Sequence, residues 1–157
     1  MTPRRDCGLC PLLGSNPVPA DKVWPRVETM GDEVVPAKVG YLAIDTVDPS
    51  ALAPFWCALL GVHIDATVGD GDFLILSPTA EGLAVGFQRV PESKAGKNRV
   101  HLDLVVDDLD EATAEVEALG GRWLEPGRTR ELEGFQWRCM ADPEGNEFDL
   151  DVLPPDS

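Results

Sequence analysis

Slid along itself, the 157-residue chain matches without a gap at an offset of 60, so that Tyr41 to His63 lie over His101 to Trp123. The identities are Leu42/Leu102, Asp48/Asp108, Ala58/Ala118, Leu59/Leu119 and Gly61/Gly121. Both copies also carry the same order of patterns: an alternating strand, an aspartate, an amphipathic helix, a glycine and another strand. A repeat of this kind restricts the fold to one supersecondary unit used twice.

The helix of the first copy is read from Leu52, Phe55, Trp56 and Leu59, which at i, i+3, i+4 and i+7 share one face, with Asp48-Pro49-Ser50 supplying the start. In the second copy Asp108 and Glu111 have capping-box spacing. Leu109, Ala112, Val116 and Leu119 form the apolar stripe, and Gly120 ends it. Three strands are expected after each helix, at 62–67, 72–78 and 83–90, then at 121–125, 135–141 and 146–153. The expected class is α+β, with two tandem βαβββ modules.

Successive side chains of a strand point to opposite faces of its sheet. Leu102, Leu104 and Val106 therefore oppose His101, Asp103 and Val105, while Phe148, Leu150 and Val152 oppose Glu147, Asp149 and Asp151. In the first copy Leu42 and Ile44 oppose Tyr41, Ala43 and Asp45, and Val85 and Phe87 oppose Gly86 and Gln88. One face suits helices. The other gathers His101, Asp103, Asp149 and Gln88, residue types that serve divalent-metal or proton-transfer sites and equally a solvated sheet face.

Charge separates the chain into two parts. Residues 1–38 hold six of the 14 prolines and five basic against five acidic residues, and are read as an irregular extension. All of the net charge of −15 falls on residues 39–157, with 8 basic against 23 acidic side chains. Such a balance repels phosphate backbones and anionic head groups, so neither nucleic acid nor a membrane is expected as a partner. No apolar run is long enough for a membrane span or an export signal, and four scattered cysteines suit a reducing compartment, so the expected location is cytoplasmic. Cys7-Gly-Leu-Cys10 supplies only half of a zinc-ribbon ligand set. Cys57 is assigned to core packing, His63 to a structural role, and Phe135 and Trp137 to rim or core packing, with the wall of a pocket for a flat organic ligand as their alternative.

The repeat, the run Val100-His101-Leu102-Asp103-Leu104-Val105-Val106-Asp107-Asp108-Leu109 and the ending Ala141-Asp142-Pro143-Glu144-Gly145-Asn146-Glu147-Phe148 resemble the vicinal oxygen chelate superfamily, in particular its actinobacterial glyoxalase-like branch. The resemblance spans about residues 39–153. It implies a curved mixed sheet with helices on the convex face and, on the concave face, a divalent metal (zinc, nickel, manganese or iron). One residue from the first and last strand of each module would hold that ion. Carried over, these positions fall on His101, Asp149, Gln88 and Tyr41; the tyrosine is a poor ligand and breaks the set.

The resemblance implies a small organic ligand and lyase- or isomerase-type chemistry, in which His101 and Asp149 act catalytically while Tyr41, Gln88 and Asp103 shape the pocket. Its alternative is a non-catalytic, drug-sequestering protein of the bleomycin-resistance kind, for which the acidic surface would favour cations. A homodimer is the expected assembly.

Overall fold

The computed structural model describes residues 39–154; the expected extension at 1–38, with Cys7 and Cys10, and the last three residues lie outside the described residues. The first module runs β1 (Leu42–Thr46), α1 (Pro49–Leu60), β2 (Ile64–Val68), β3 (Phe73–Leu76) and β4 (Val85–Arg89). The second runs β5 (Asp103–Val105), α2 (Leu109–Ala118), β6 (Arg122–Trp123), β7 (Arg130–Leu132), β8 (Phe135–Ala141) and β9 (Glu147–Val152). Each module closes its own mixed sheet, in the orders β1-β4-β3-β2 and β5-β9-β8-β6. In both, the first strand lies parallel to the last, and the remaining pairs are antiparallel.

Local chemistry sets the helix limits. The Asp48 carboxylate accepts from the N–H groups of Ser50 and Ala51 at 3.1 and 3.3 Å, and Asp108 accepts from Asp110 and Glu111 at 2.7 and 2.9 Å. Each aspartate satisfies donors that a helix start leaves without partners. Helix α1 ends where Gly61 adopts φ of 65°, a left-handed conformation that costs glycine little.

One strand lies outside the sequence expectation. β7 joins β8 through Glu133 and Gly134, whose φ angles of 52° and 86° make the two-residue turn that matches strand twist. Because β6 and β7 both pair with β8, the single edge strand expected at 121–125 is instead two pieces flanking a loop at 124–129.

Both modules feed one core. Leu52, Phe55 and Trp56 of α1 pack with Leu76, Phe87, Val116, Met140, Phe148 and Leu150, and Cys57 packs against the same cluster, as expected of it. The turn Asp142–Asn146 fastens the modules together. Asp142 is fully buried and accepts from Trp56 Nε1 of the other module at 3.1 Å, while Glu144 accepts from the Thr46 hydroxyl and from the Val47 and Asp48 N–H groups. On the helix side of the second sheet the buried Arg138 donates to the Leu109 carbonyl, Thr113 and Asp110, and lies 4.3 Å from the Trp123 ring centroid, tying α2 to β8.

Gly121 lies where the modules touch. A Cβ there would stand 2.7 Å from Val116 Cγ1, 2.8 Å from the Ala141 carbonyl oxygen and 3.0 Å from Phe55 Cε2. Since the carbonyl belongs to the β8 ladder, Gly121→Ala is expected to cost about 1–3 kcal/mol, as overpacking does, and to lower the melting temperature measured by circular dichroism. An unchanged melting temperature would show that the contact relaxes.

Candidate functional site

The face of the second sheet turned away from α2 carries two transverse rows. Parallel pairing of β5 with β9 sets Asp103 beside Asp149, and antiparallel pairing of β9 with β8 sets Cys139 on Asp149's other side. The next row runs from Asp151 through Trp137 to Arg130. Just before β5, His101 places Nε2 3.2 Å from Asp103 Oδ1 and 3.9 Å from Asp149 Oδ2. The expected trio of His101, Asp103 and Asp149 thus comes together, with one ligand-type atom from each within 4.8 Å of the others.

These rows line a cavity of about 340 Å³. One wall is aromatic: the Phe135 and Trp137 rings lie 5.5 Å apart at 36°. Both are half-buried and border the cavity, the pocket-lining alternative to rim or core packing. Cys139 also borders the cavity, and its thiol is pushed up to about 11 by burial and by its hydrogen bond and proximity to Asp149, so it stands protonated at neutral pH. Arg130 is occupied by Glu125, with contacts of 2.9 and 3.0 Å.

Asp151, absent from the expected site, is the most deeply placed of these acids at 3% exposure. Burial, then the charges of Asp103 and Asp149, push its carboxyl up to about 6, against which His101 acts weakly. Strand alternation already puts Asp151 on the face of Asp149. Its opposition to Trp137, which places it at the cavity wall, depends on the β8–β9 register.

The first sheet does not supply the other half of a four-residue centre. Ala43 pairs with Gly86 and Asp45 with Gln88. Since Ala43 matches Asp103 at the repeat offset, Gly86 stands where the second module has Asp149, and Gln88 where it has Asp151. Tyr41 takes the place of His101. Its ring meets Phe73 edge-on at 5.7 Å, and a Cβ on Gly86 would come within 3.2 Å of Phe73 Cζ and 3.4 Å of Tyr41 Cδ2. A tyrosine ring and a glycine thus replace imidazole and carboxylate, and aromatic carbon crowds the space over Gly86. The two-module metal set of the resemblance does not fit this chain. Gln88 sits half-buried between its strand partners Asp45 and Phe73.

A larger cleft of about 500 Å³ separates β1 from the segment at 98–102, and His101 borders both cavities. Lys94 and Asn98 tie that segment to Glu147 at the start of β9, at 3.1 and 2.8 Å. His63 lies apart from these groups, exposed, with Nδ1 3.2 Å from the Ser77 hydroxyl. Among the described residues no helix is long and apolar enough to cross a membrane.

Solved structures share this architecture. A glyoxalase/bleomycin resistance protein/dioxygenase family enzyme from Burkholderia phytofirmans PsJN is 19% identical, with a TM-score of 0.60 over 72% of this chain and 96% of its own. A glyoxalase/bleomycin resistance protein/dioxygenase from Nocardioides is 14% identical, with a TM-score of 0.61 over 80% and 89%. One from Alicyclobacillus acidocaldarius is 17% identical, with a TM-score of 0.55 over 76% and 93%. No curated protein sequence matches the chain. The family profile described as the glyoxalase-like domain matches residues 41–150, from Tyr41 to the leucine beside Asp149, and by that match the chain belongs to the glyoxalase-like domain family of the vicinal oxygen chelate superfamily.

Proposed function

We propose that this protein acts on a small organic molecule bound against the second sheet, by lyase- or isomerase-type proton transfer through His101 and Asp149. The observation that carries this reading is the contact of His101 Nε2 with both Asp103 and Asp149 at the edge of an aromatic-walled cavity. An imidazole so placed can take a proton from a carbon next to a carbonyl, with the electron pair moving into the carbonyl, and return it to the neighbouring carbon. Asp103 orients the ring. Asp149, bonded to the Cys139 thiol, is the second group able to pass the proton. Isomerisation of this kind needs no outside oxidant.

The test is hydrogen–deuterium exchange by NMR, in deuterated buffer, on a panel of α-hydroxy and α-keto carbonyl compounds. Exchange is expected to exceed the buffer rate and to return to it in His101→Ala; equal rates for the two proteins would remove the role. A second reading, sequestration without chemistry, is favoured by the replacement of the first-module donors by Tyr41 and Gly86. Tight binding with no exchange would select it.

A divalent ion held only by His101, Asp103 and Asp149 is checked by calorimetric titration of chelator-stripped protein with zinc, nickel, manganese and iron(II). Stoichiometric binding lost in His101→Ala is the result that would place an ion there. The homodimer remains the expected assembly, to be read by light scattering.

A further inference from the structure

We infer that the ligand of this cavity is a flat organic cation, and that Asp151 is the residue that selects for its charge; the inference rests on the second-sheet cavity proposed above as the binding site. Asp151 is 3% exposed and borders the cavity, yet its side chain has no hydrogen-bond or ion-pair partner among the described residues. A buried carboxylate without a partner is costly to the fold unless something else pairs with it. Its neighbours do not pair with it: Asp103 and Asp149 carry the same sign, Arg130 is held by Glu125, and His101, whose Nε2 faces Asp103 and Asp149, is the smallest of the influences on it.

A bare divalent ion answers this need poorly. The atoms that converge to ion-binding distance belong to His101, Asp103 and Asp149, and Asp151 is not among them. Directly across the ladder from Asp151 stands Trp137, with Phe135 beside it. A planar ring can lie on that wall while its positive nitrogen reaches Asp151 and Asp103, combining stacking, cation–π attraction and charge-assisted hydrogen bonds. A cavity of about 340 Å³ is at the small end of those that hold organic ligands. The first module has the neutral Gln88 in the place of Asp151, and Tyr41 and Phe73 crowd the space over the neighbouring Gly86.

The experiment titrates the chelator-stripped full chain with proflavine, a flat tricyclic cation at neutral pH, and with acridine-9-carboxylate, an anion of similar size, following dye anisotropy. One proflavine per chain is expected, with affinity reduced at least tenfold by Asp151→Asn and by Trp137→Ala. It should be unchanged by Glu115→Gln on the outer face of α2, and the anion should bind at least tenfold more weakly. Thermal melts confirm that each variant is folded, and Asp103→Asn serves as a second charge deletion. Equal binding of the two dyes, or proflavine affinity that ignores both Asp151→Asn and Asp103→Asn, overturns the inference. His101-dependent exchange on neutral or anionic carbonyls without proflavine binding also overturns it while leaving the acid–base reading intact. Proflavine binding that depends on Asp151, without any exchange, upholds the inference and removes the acid–base reading.

Discussion

Replacing Asp142 by alanine is expected to cost about 3–5 kcal/mol, a large loss for a single polar substitution. The carboxylate is fully buried and serves four donors: the Glu144 N–H at 3.0 Å, the Asn146 N–H at 2.9 Å, the Asn146 side-chain amide at 2.8 Å and Trp56 Nε1 at 3.1 Å. Three of these bonds shape the turn between β8 and β9, and the fourth reaches the other module. Alanine would leave several of the donors dry, each at about 1–3 kcal/mol, partly recovered as the turn relaxes and admits water. Trp56→Phe removes one donor while keeping the ring in the core, and should cost only about 1–2 kcal/mol. Urea unfolding of the two variants and of their double mutant would measure the coupling. A loss under about 1 kcal/mol for Asp142→Ala would show that the turn does not hold the modules.

That turn also shows what the sequence makes legible. Asp-Pro-Glu-Gly-Asn is readable as a turn and as a family signature, and the structure gives its physical basis: the aspartate organises the loop and the glutamate accepts from the junction between β1 and α1 in the first module. The repeat offset likewise holds for the first strands, which overlap, and for the helix starts, where the caps Asp48 and Asp108 and the first residues Pro49 and Leu109 coincide. It fails at the last strands. From Ala43 to its partner Gly86 is 43 residues, whereas from Asp103 to its partner Asp149 is 46, because the second module carries a longer edge region with its extra strand β7.

A gapless repeat cannot place that difference, and Gln88, two residues beyond Gly86, is the polar side chain that attracts the assignment. Only the parallel register distinguishes them. The strand β7 leaves little trace in the sequence because its turn is Glu133-Gly134, with a non-glycine residue in the left-handed region where Asn or Asp would give the signal. The partner of the aromatic wall is hidden for a related reason. Alternation tells which face Trp137 occupies, but that it stands opposite a buried aspartate is a property of strand pairing across a hairpin.

Asp151→Asn is expected to stabilise the ligand-free, chelator-stripped protein at pH 7 by about 1–3 kcal/mol, a direction opposite to that of most buried substitutions. In the unfolded chain the carboxyl titrates near its ordinary value of 3.8; in the fold, burial and the charges of Asp103 and Asp149 push it up to about 6. Between those values the native state keeps a proton that the unfolded state has released, so this group's contribution to stability falls as pH rises from about 4 to about 6. Above that range the penalty is constant, at about 1.4 kcal/mol for every tenfold difference in proton affinity between the two states. Below about pH 4 both states are protonated and the penalty vanishes. Asparagine has no proton to lose. The difference between wild type and variant in urea midpoint should therefore open between pH 4 and pH 6 and remain open at pH 7. A difference independent of pH, or a variant less stable at pH 7, would mean that the carboxylate is not penalised by burial. Asp149→Asn removes one of the two like charges and should narrow the same window without closing it, since burial is the larger cause. A cation that binds beside the ionised Asp151 offsets this penalty, so proflavine should raise the urea midpoint of the wild type more at pH 7 than at pH 4, and that pH dependence should disappear in Asp151→Asn.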